Sequence, residues 1–201
     1  MLAVGADIMR PVEPQQAKKT LRKQMRAQRD ATTQEQRTAW SDAICANLVR
    51  LPTYQSATVV HCFLSIQTEI DTRPIIEHAL AHGKRVVTPI FVKNSAETPC
   101  CEIDTLDDDA YDIGGFGLHI PRVMRPVDIA LIDFVVVPLL ATARIGGEPG
   151  WRRLGYGAGF YDHFLARTTA PKIGIAFSFQ YVADLPREPH DVLLDQIVDE
   201  T

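Results

Sequence analysis

The chain has 201 residues, a formal net charge of −4, 46% hydrophobic and 23% charged residues. This is enough for one large domain of ordinary globular composition, and the weakly acidic balance gives no general attraction to nucleic acid or anionic membranes. No stretch approaches the roughly 18 uninterrupted apolar residues of a membrane span, and the N-terminus "MLAVGADIMRP" lacks a basic region leading into an apolar core, so a cytoplasmic protein is expected.

Residues 1–12 read as a flexible leader and 13–201 as a single α/β domain. A first helix is expected from Pro14, which suits an opening helical turn. Lys18, Arg22, Arg26 and Arg29 fall on one side of it, with Leu21 and Met25 marking an adjacent apolar stripe. The pattern Thr32-x-x-Glu35 predicts a capping box for a second helix. Its stripe is Trp40, Ile44 and Leu48, and Leu51-Pro52 closes it.

The period then changes. "TVVHCFLS" (58–65) is an apolar, β-branched run of strand length, "RPIIEHALAHG" (73–83) a short helix stopped by Gly83, and "KRVVTPI" (84–90) the next strand. "CCEIDTL" (100–106) predicts another strand, and the acidic run 104–112 a solvated loop. "DFVVVPLL" (133–140) is a central strand, followed by an irregular loop, a glycine segment and a helix from about Phe160. Segments 172–177 and 195–200 supply the last strands. Nearly all-apolar strands alternating with amphipathic helices predict a three-layer α/β domain: a largely parallel sheet covered on both faces, with an N-terminal helical pair packed onto it. Cys45, Cys62, Cys100 and Cys101 form no C-x-x-C pair and have no histidines at zinc-ligand spacing, so they read as bystander thiols.

The glycine segment, "RRLGYGAGFYDHFL" (152–165), carries the chemistry. A strand, a glycine loop and a helix together present backbone N–H groups to a phosphate. Arg152 or Arg153 would add a charge-assisted fork. Asp162, just inside the helix, could anchor Mg²⁺ between phosphate oxygens. Gly155, Gly157 and Gly159, spaced by two, fit neither G-x-x-x-x-G-K-[ST] nor G-x-G-x-x-G. The alternative is a turn that simply lets the helix pack closely on the sheet.

"RLGYGAGFYDHFL" resembles the signature R-L-G-x-G-x-G-Y-Y-D of the 5-formyltetrahydrofolate cyclo-ligase family. Phe160 stands in place of the first tyrosine. "KKTLR" (18–22), "FLSIQTEIDT" (63–72), "GKRVVTPI", "VDIALIDFVVVP" and "EPHDVLLDQIV" resemble further family segments in the same order, over roughly residues 16–199. The resemblance implies that 5-formyltetrahydrofolate and ATP become 5,10-methenyltetrahydrofolate, ADP and phosphate, with Mg²⁺. It further implies that Lys18 and Arg22 grip ATP phosphates together with Arg153 and the segment Leu154, Gly155, Tyr156, Gly157, Ala158, Gly159, Phe160 and Tyr161. Lys18, Arg153 and Tyr161 are then catalytic, and Asp162 and Asp191 hold the metal. Glu69 pairs with the pterin, flanked by Leu64, Tyr156 and Phe160 and by the loop backbone at 157–159. The partners are then the two small-molecule substrates, with no nucleic acid or membrane, and a monomer is expected. Two other readings stay open from the residues: a relative that holds folate or nucleotide without turnover, and a sugar-phosphate isomerase that needs no ATP.

Overall fold

The computed structural model describes residues 14–90 and 99–201; the expected leader at 1–12 lies outside the described residues. Helix α1 (Pro14–Asp30) is followed by α2 (Gln34–Leu48). The cap of α2 differs from expectation by one position. Thr33 accepts from the Gln36 amide at 3.2 Å, and its own N–H donates to Gln36 Oε1 at 3.0 Å. The Thr32 hydroxyl instead donates back to the Arg29 carbonyl at 2.6 Å, finishing α1. Pro52 both closes the approach to α2 and opens a one-turn helix, α3 (Pro52–Ser56).

Strand β1 (Val59–His61) leads through α4 (Arg73–Ala81) to β2 (Arg85–Pro89). Then come β3 (Cys100–Ile103), β4 (Tyr111–Ile113), β5 (His119–Pro121), β6 (Pro126–Val127), β7 (Phe134–Val137), β8 (Ala141–Ala143) and β9 (Arg152–Leu154). Helix α5 (Phe160–Leu165), β10 (Lys172–Ile175) and β11 (Gln196–Val198) complete the order. The strands are shorter than their apolar runs. The expected irregular loop after β7 contains a paired hairpin, β8 with β9, and the acidic run contributes β4, which pairs with β5.

The main sheet runs β11-β10-β7-β1-β2-β3-β6. Its first five strands are mutually parallel, whereas β3 pairs antiparallel to β2 and β6 antiparallel to β3. The period of two along β7 divides its side chains between the faces. Phe134 and Val136 pack with Ile44 and Leu48 of α2 and Ile75 and Ile76 of α4. Val135 and Val137 pack with Phe164 and Leu165 of α5. Helix α1 reaches the sheet by way of the hairpin, with Met25 packing on Leu140, Ala141, Ala143 and Leu154. No helix among the described residues is long and apolar enough to cross a membrane.

This topology fixes where a ligand can sit. From β1 the chain crosses through α4 to β2 on one side, and from β7 it crosses through α5 to β10 on the other. Adjacent parallel strands whose connections diverge leave a crevice beyond their carboxyl ends. The loops leaving β1 and β7 open into that crevice.

Candidate active site

A cavity of about 1180 Å³ occupies the crevice, lined by α1, the loop after β1, the glycine segment and the C-terminal segment around Glu188. It brings together Lys18, Arg22, Leu64, Glu69, Arg153 and the whole run from Gly155 to Asp162. Two expected residues lie elsewhere. Leu154 is 1% exposed in the core under α1, and its carbonyl accepts from the Leu140 amide at 2.7 Å, so its side chain meets no ligand. Asp191 is absent from the lining and joins the site through its neighbours there, Lys18 and the Glu188 amide.

Lys18 is buried, unlike a residue on a solvated face. Its ammonium stands 2.5 Å from Asp191 Oδ2 and 2.9 Å from Glu188 Oε2. The hydrogen bond from Lys18 holds the Glu188 carboxyl below its ordinary value. For Asp191, burial pushes upward, but the bonds from Lys18 and the Glu188 amide outweigh it and the net shift is downward. One turn along α1, the half-buried Arg22 donates from Nε to the Gly155 carbonyl at 2.9 Å. Burial, and then the charge of Arg26, pull its pKa down.

The glycine loop is bare for more than one reason. Gly157 and Gly159 have φ of +105° and +71°, where a side chain is strained. A Cβ on Gly157 would lie 3.3 Å from Arg22 Cζ, and one on Gly155 would lie 2.7 Å from Arg153 Nη1. Helix α5 has six residues and offers little dipole, so positive charge at the loop comes from α1 and the loop amides.

Arg153 is 7% exposed and sits beneath the loop. Its Nη2 donates to Asp162 Oδ1 at 2.8 Å and Nη1 to the Pro138 carbonyl at 3.4 Å, while the guanidinium lies 5.7 Å from the Tyr161 ring centroid. The expected phosphate fork is therefore committed to Asp162 and to the end of β7. Arg152 is committed as well, to Glu148. The buried Tyr161 hydroxyl and Arg153 Nε have no hydrogen-bond partner. Two such orphans beside a cavity mark where a ligand's polar atoms would be satisfied.

Glu69 stands on the loop after β1, where Oε2 accepts from the Ile66 amide at 3.0 Å. Burial raises its pKa, opposed by the Tyr156 hydroxyl, the Ile66 amide and the Arg29 charge. Tyr156 in turn accepts from Arg29 Nη1 at 2.5 Å. Sequence reasoning placed Arg29 on the basic face but assigned it no role at the site, and it missed Glu188 and His190. The i+4 and i+7 spacing from Arg22 carried the signal for Arg26 and Arg29. Glu188 and His190 lie within three residues of Asp191 in "EPHD".

Glu188, His190 and Asp191 place one ligand atom each within 4.8 Å of one another. Two carboxylates in such a group suit a hard divalent cation. Asp162 lines the same cavity as Glu188 and His190, with one oxygen on Arg153.

A sequence model described as the 5-formyltetrahydrofolate cyclo-ligase family matches residues 14–200. The 5-formyltetrahydrofolate cyclo-ligase of Escherichia coli (strain K12) is 30% identical over 180 residues, 87% of this chain and 95% of that one. The mouse (Mus musculus) protein of the same name is 25% identical over 201 residues, 94% and 97% of the two chains. The NMR structure of Aquifex aeolicus 5,10-methenyltetrahydrofolate synthetase superposes with a TM-score of 0.75 at 29% identity, covering 91% of this chain and 89% of that one. The Mycoplasma pneumoniae 5,10-methenyltetrahydrofolate synthetase gives 0.73 at 25% identity, covering 92% and 99%. A match across the described domain, in sequence and in fold, places the chain: it belongs to the 5-formyltetrahydrofolate cyclo-ligase family, a family of ligases.

Proposed function

We propose that this chain converts 5-formyltetrahydrofolate to 5,10-methenyltetrahydrofolate at the expense of ATP. The observation that carries the reading is the convergence, in one cavity, of the α1 cations, the glycine loop and Glu69. A formyl oxygen on nitrogen is a poor leaving group. It attacks the γ-phosphorus, ADP departs, and N10 then adds to the activated carbon. The N10 proton is lost and the former formyl oxygen leaves in inorganic phosphate. Such a transfer needs alignment and charge neutralisation more than a protein nucleophile.

The roles follow from position. Lys18 and Arg22 take the phosphates, which replace Glu188 and Asp191 as partners of Lys18, and the loop amides from Gly155 to Gly159 wrap the transferred group. Arg153 acts as a positioning residue that holds Asp162 and the base of the loop. Glu69 accepts from the pterin N–H donors, with Leu64, Tyr156 and Phe160 against the ring, and Tyr161 offers its hydroxyl to the reacting end. Asp162 and Asp191, with Glu188 and His190 adjacent to Asp191, are the residues that would hold Mg²⁺. Bound there, Mg²⁺ would neutralise charge on the polyphosphate. All of these residues come from one chain, so a monomer suffices.

The test is the absorbance of methenyltetrahydrofolate formed from 5-formyltetrahydrofolate, with and without MgATP. Formation strictly dependent on MgATP supports the reading. No formation despite binding of both ligands means a non-catalytic relative, and formation without ATP means a different chemistry.

A further inference from the structure

Tyr156 is gripped from two directions. The guanidiniums of Arg26 and Arg29, both on α1, lie 5.4 and 5.6 Å from its ring centroid. Arg29 Nη1 also donates to its hydroxyl at 2.5 Å. That hydroxyl also bears on the Glu69 carboxylate, opposing the rise that burial imposes on its pKa. A second tie runs in parallel, from Arg29 Nε to Thr68 Oγ1 at 3.1 Å and from the Thr68 hydroxyl to Asp30 Oδ1 at 2.6 Å. The C-terminal end of α1 is thus fastened to the Glu69 loop, directly through Thr68 and indirectly through Tyr156.

The other end of the same helix carries Lys18 and Arg22. Eleven residues separate Lys18 from Arg29, about 16 Å along a rigid helix. One element therefore holds the proposed phosphate-gripping residues at one end and the anchor of the folate-recognising carboxylate at the other. Its middle is seated on the β8–β9 hairpin by the buried Met25 and the partly buried Leu21. Arg22 adds a tie to the Gly155 carbonyl, one residue before Tyr156. Any ligand that fixes the register of α1 at one end also fixes Tyr156, and through it Glu69, at the other.

We propose that Tyr156 is a positioning residue that couples the two substrate halves, so that MgATP and the reduced folate bind with positive cooperativity. This rests on the functional reading above. The first ligand orders α1, the Tyr156 hydroxyl and the Glu69 loop together, and the second then meets an element already ordered. Linkage makes the effect reciprocal: each ligand must tighten the other by the same factor.

The experiment measures the dissociation constant of 5-formyltetrahydrofolate with and without a non-hydrolysable ATP analogue plus Mg²⁺, and that of the analogue with and without folate. In the unaltered protein both factors are expected to agree, at on the order of tenfold, within the usual range for coupled sites. Tyr156→Phe keeps the ring under the two arginines but removes the hydroxyl, and should bring the factor to about twofold or less, whatever it does to the affinity of either ligand alone. Arg29→Lys keeps a charge without the fork and should fall between. A factor of one in the unaltered protein, or the full factor retained in Tyr156→Phe, overturns the coupling while leaving the functional reading intact. If the unaltered protein binds neither ligand, the functional reading fails and the coupling fails with it. Should Tyr156→Phe not fold, the factor in the unaltered protein and in Arg29→Lys decides the matter alone.

Discussion

Lys18 and Asp191, 173 positions apart in sequence, meet as a 2.5 Å ion pair that closes α1 onto the C-terminal segment. With the Lys18 side chain 5% exposed and that of Asp191 14%, the pair is poorly screened by solvent. Removing one member of a buried pair leaves the other charge without compensation. Lys18→Ala is therefore expected to lower stability by about 2 to 3 kcal/mol and to weaken MgATP binding as well. Denaturant midpoints and nucleotide affinity check both; an unchanged midpoint contradicts the pairing.

Asp162→Asn removes a charge from the proposed metal set but keeps an oxygen for Arg153 Nη2. A large loss of turnover is expected even at saturating Mg²⁺, with a stability loss of no more than about 1 to 2 kcal/mol. Turnover titrated against Mg²⁺ checks it. Activity at the original level across the whole Mg²⁺ titration would mean that this carboxylate serves only to hold Arg153.

Gly157→Ala forces a side chain to φ of +105° and brings it 3.3 Å from Arg22 Cζ. Stability should fall by about 1 to 2 kcal/mol, and turnover should fall well beyond that because the loop amides and Arg22 are displaced together. Ala158→Gly should be mild in turnover. Comparing specific activity of the folded fraction of each variant separates the two effects. Full specific activity in Gly157→Ala would assign the bare loop to packing alone.

The pH profile offers a signed test at Glu69. Burial raises its pKa from the ordinary 4.5, and the Tyr156 hydrogen bond opposes the rise. Folate binding through the ionised carboxylate should therefore weaken on the acid side at a pH above 4.5. Tyr156→Phe removes an opposing interaction, so its acid limb should move to still higher pH. The dissociation constant for folate against pH checks both, and a limb that moves down in the variant reverses the sign and sinks the assignment.

His61 on β1 is wholly buried, stacked on Phe164 at 4.4 Å, with neither ring nitrogen hydrogen-bonded. Burial depresses its pKa from 6.5 to about 3. The unfolded chain takes up a proton below 6.5 that the folded chain refuses. Its contribution is present above pH 6.5 and is lost as pH falls toward 3, at roughly 1.4 kcal/mol per unit once the unfolded form is fully protonated. His61→Phe should flatten the stability curve between pH 6.5 and 5, and an unchanged slope there would contradict a neutral buried imidazole.

The sequence made the central layers legible because apolar runs such as 133–140 must be covered on both faces, and Gly83 and Pro52 punctuate the helices. Strand ends were less legible, since "TVVHCFLS" continues apolar past His61 because Cys62 and Phe63 join the core and Phe63 and Leu64 line the cavity. The β8–β9 hairpin was hidden by a loop rich in glycine. At the site, Lys18 and Glu69 were visible through motif resemblance. The burial of Lys18 was not, because its carboxylate partners come from the far end of the chain. Arg153 was read as a phosphate fork because local spacing cannot show that Asp162 occupies it.

The most direct measurement of the account follows the formyl oxygen. With 5-formyltetrahydrofolate labelled with ¹⁸O at that atom, MgATP and the enzyme, one labelled oxygen should appear in each inorganic phosphate released, in step with methenyltetrahydrofolate. Phosphate released without label, or labelled water alongside methenyltetrahydrofolate, would contradict attack of the formyl oxygen on the γ-phosphate.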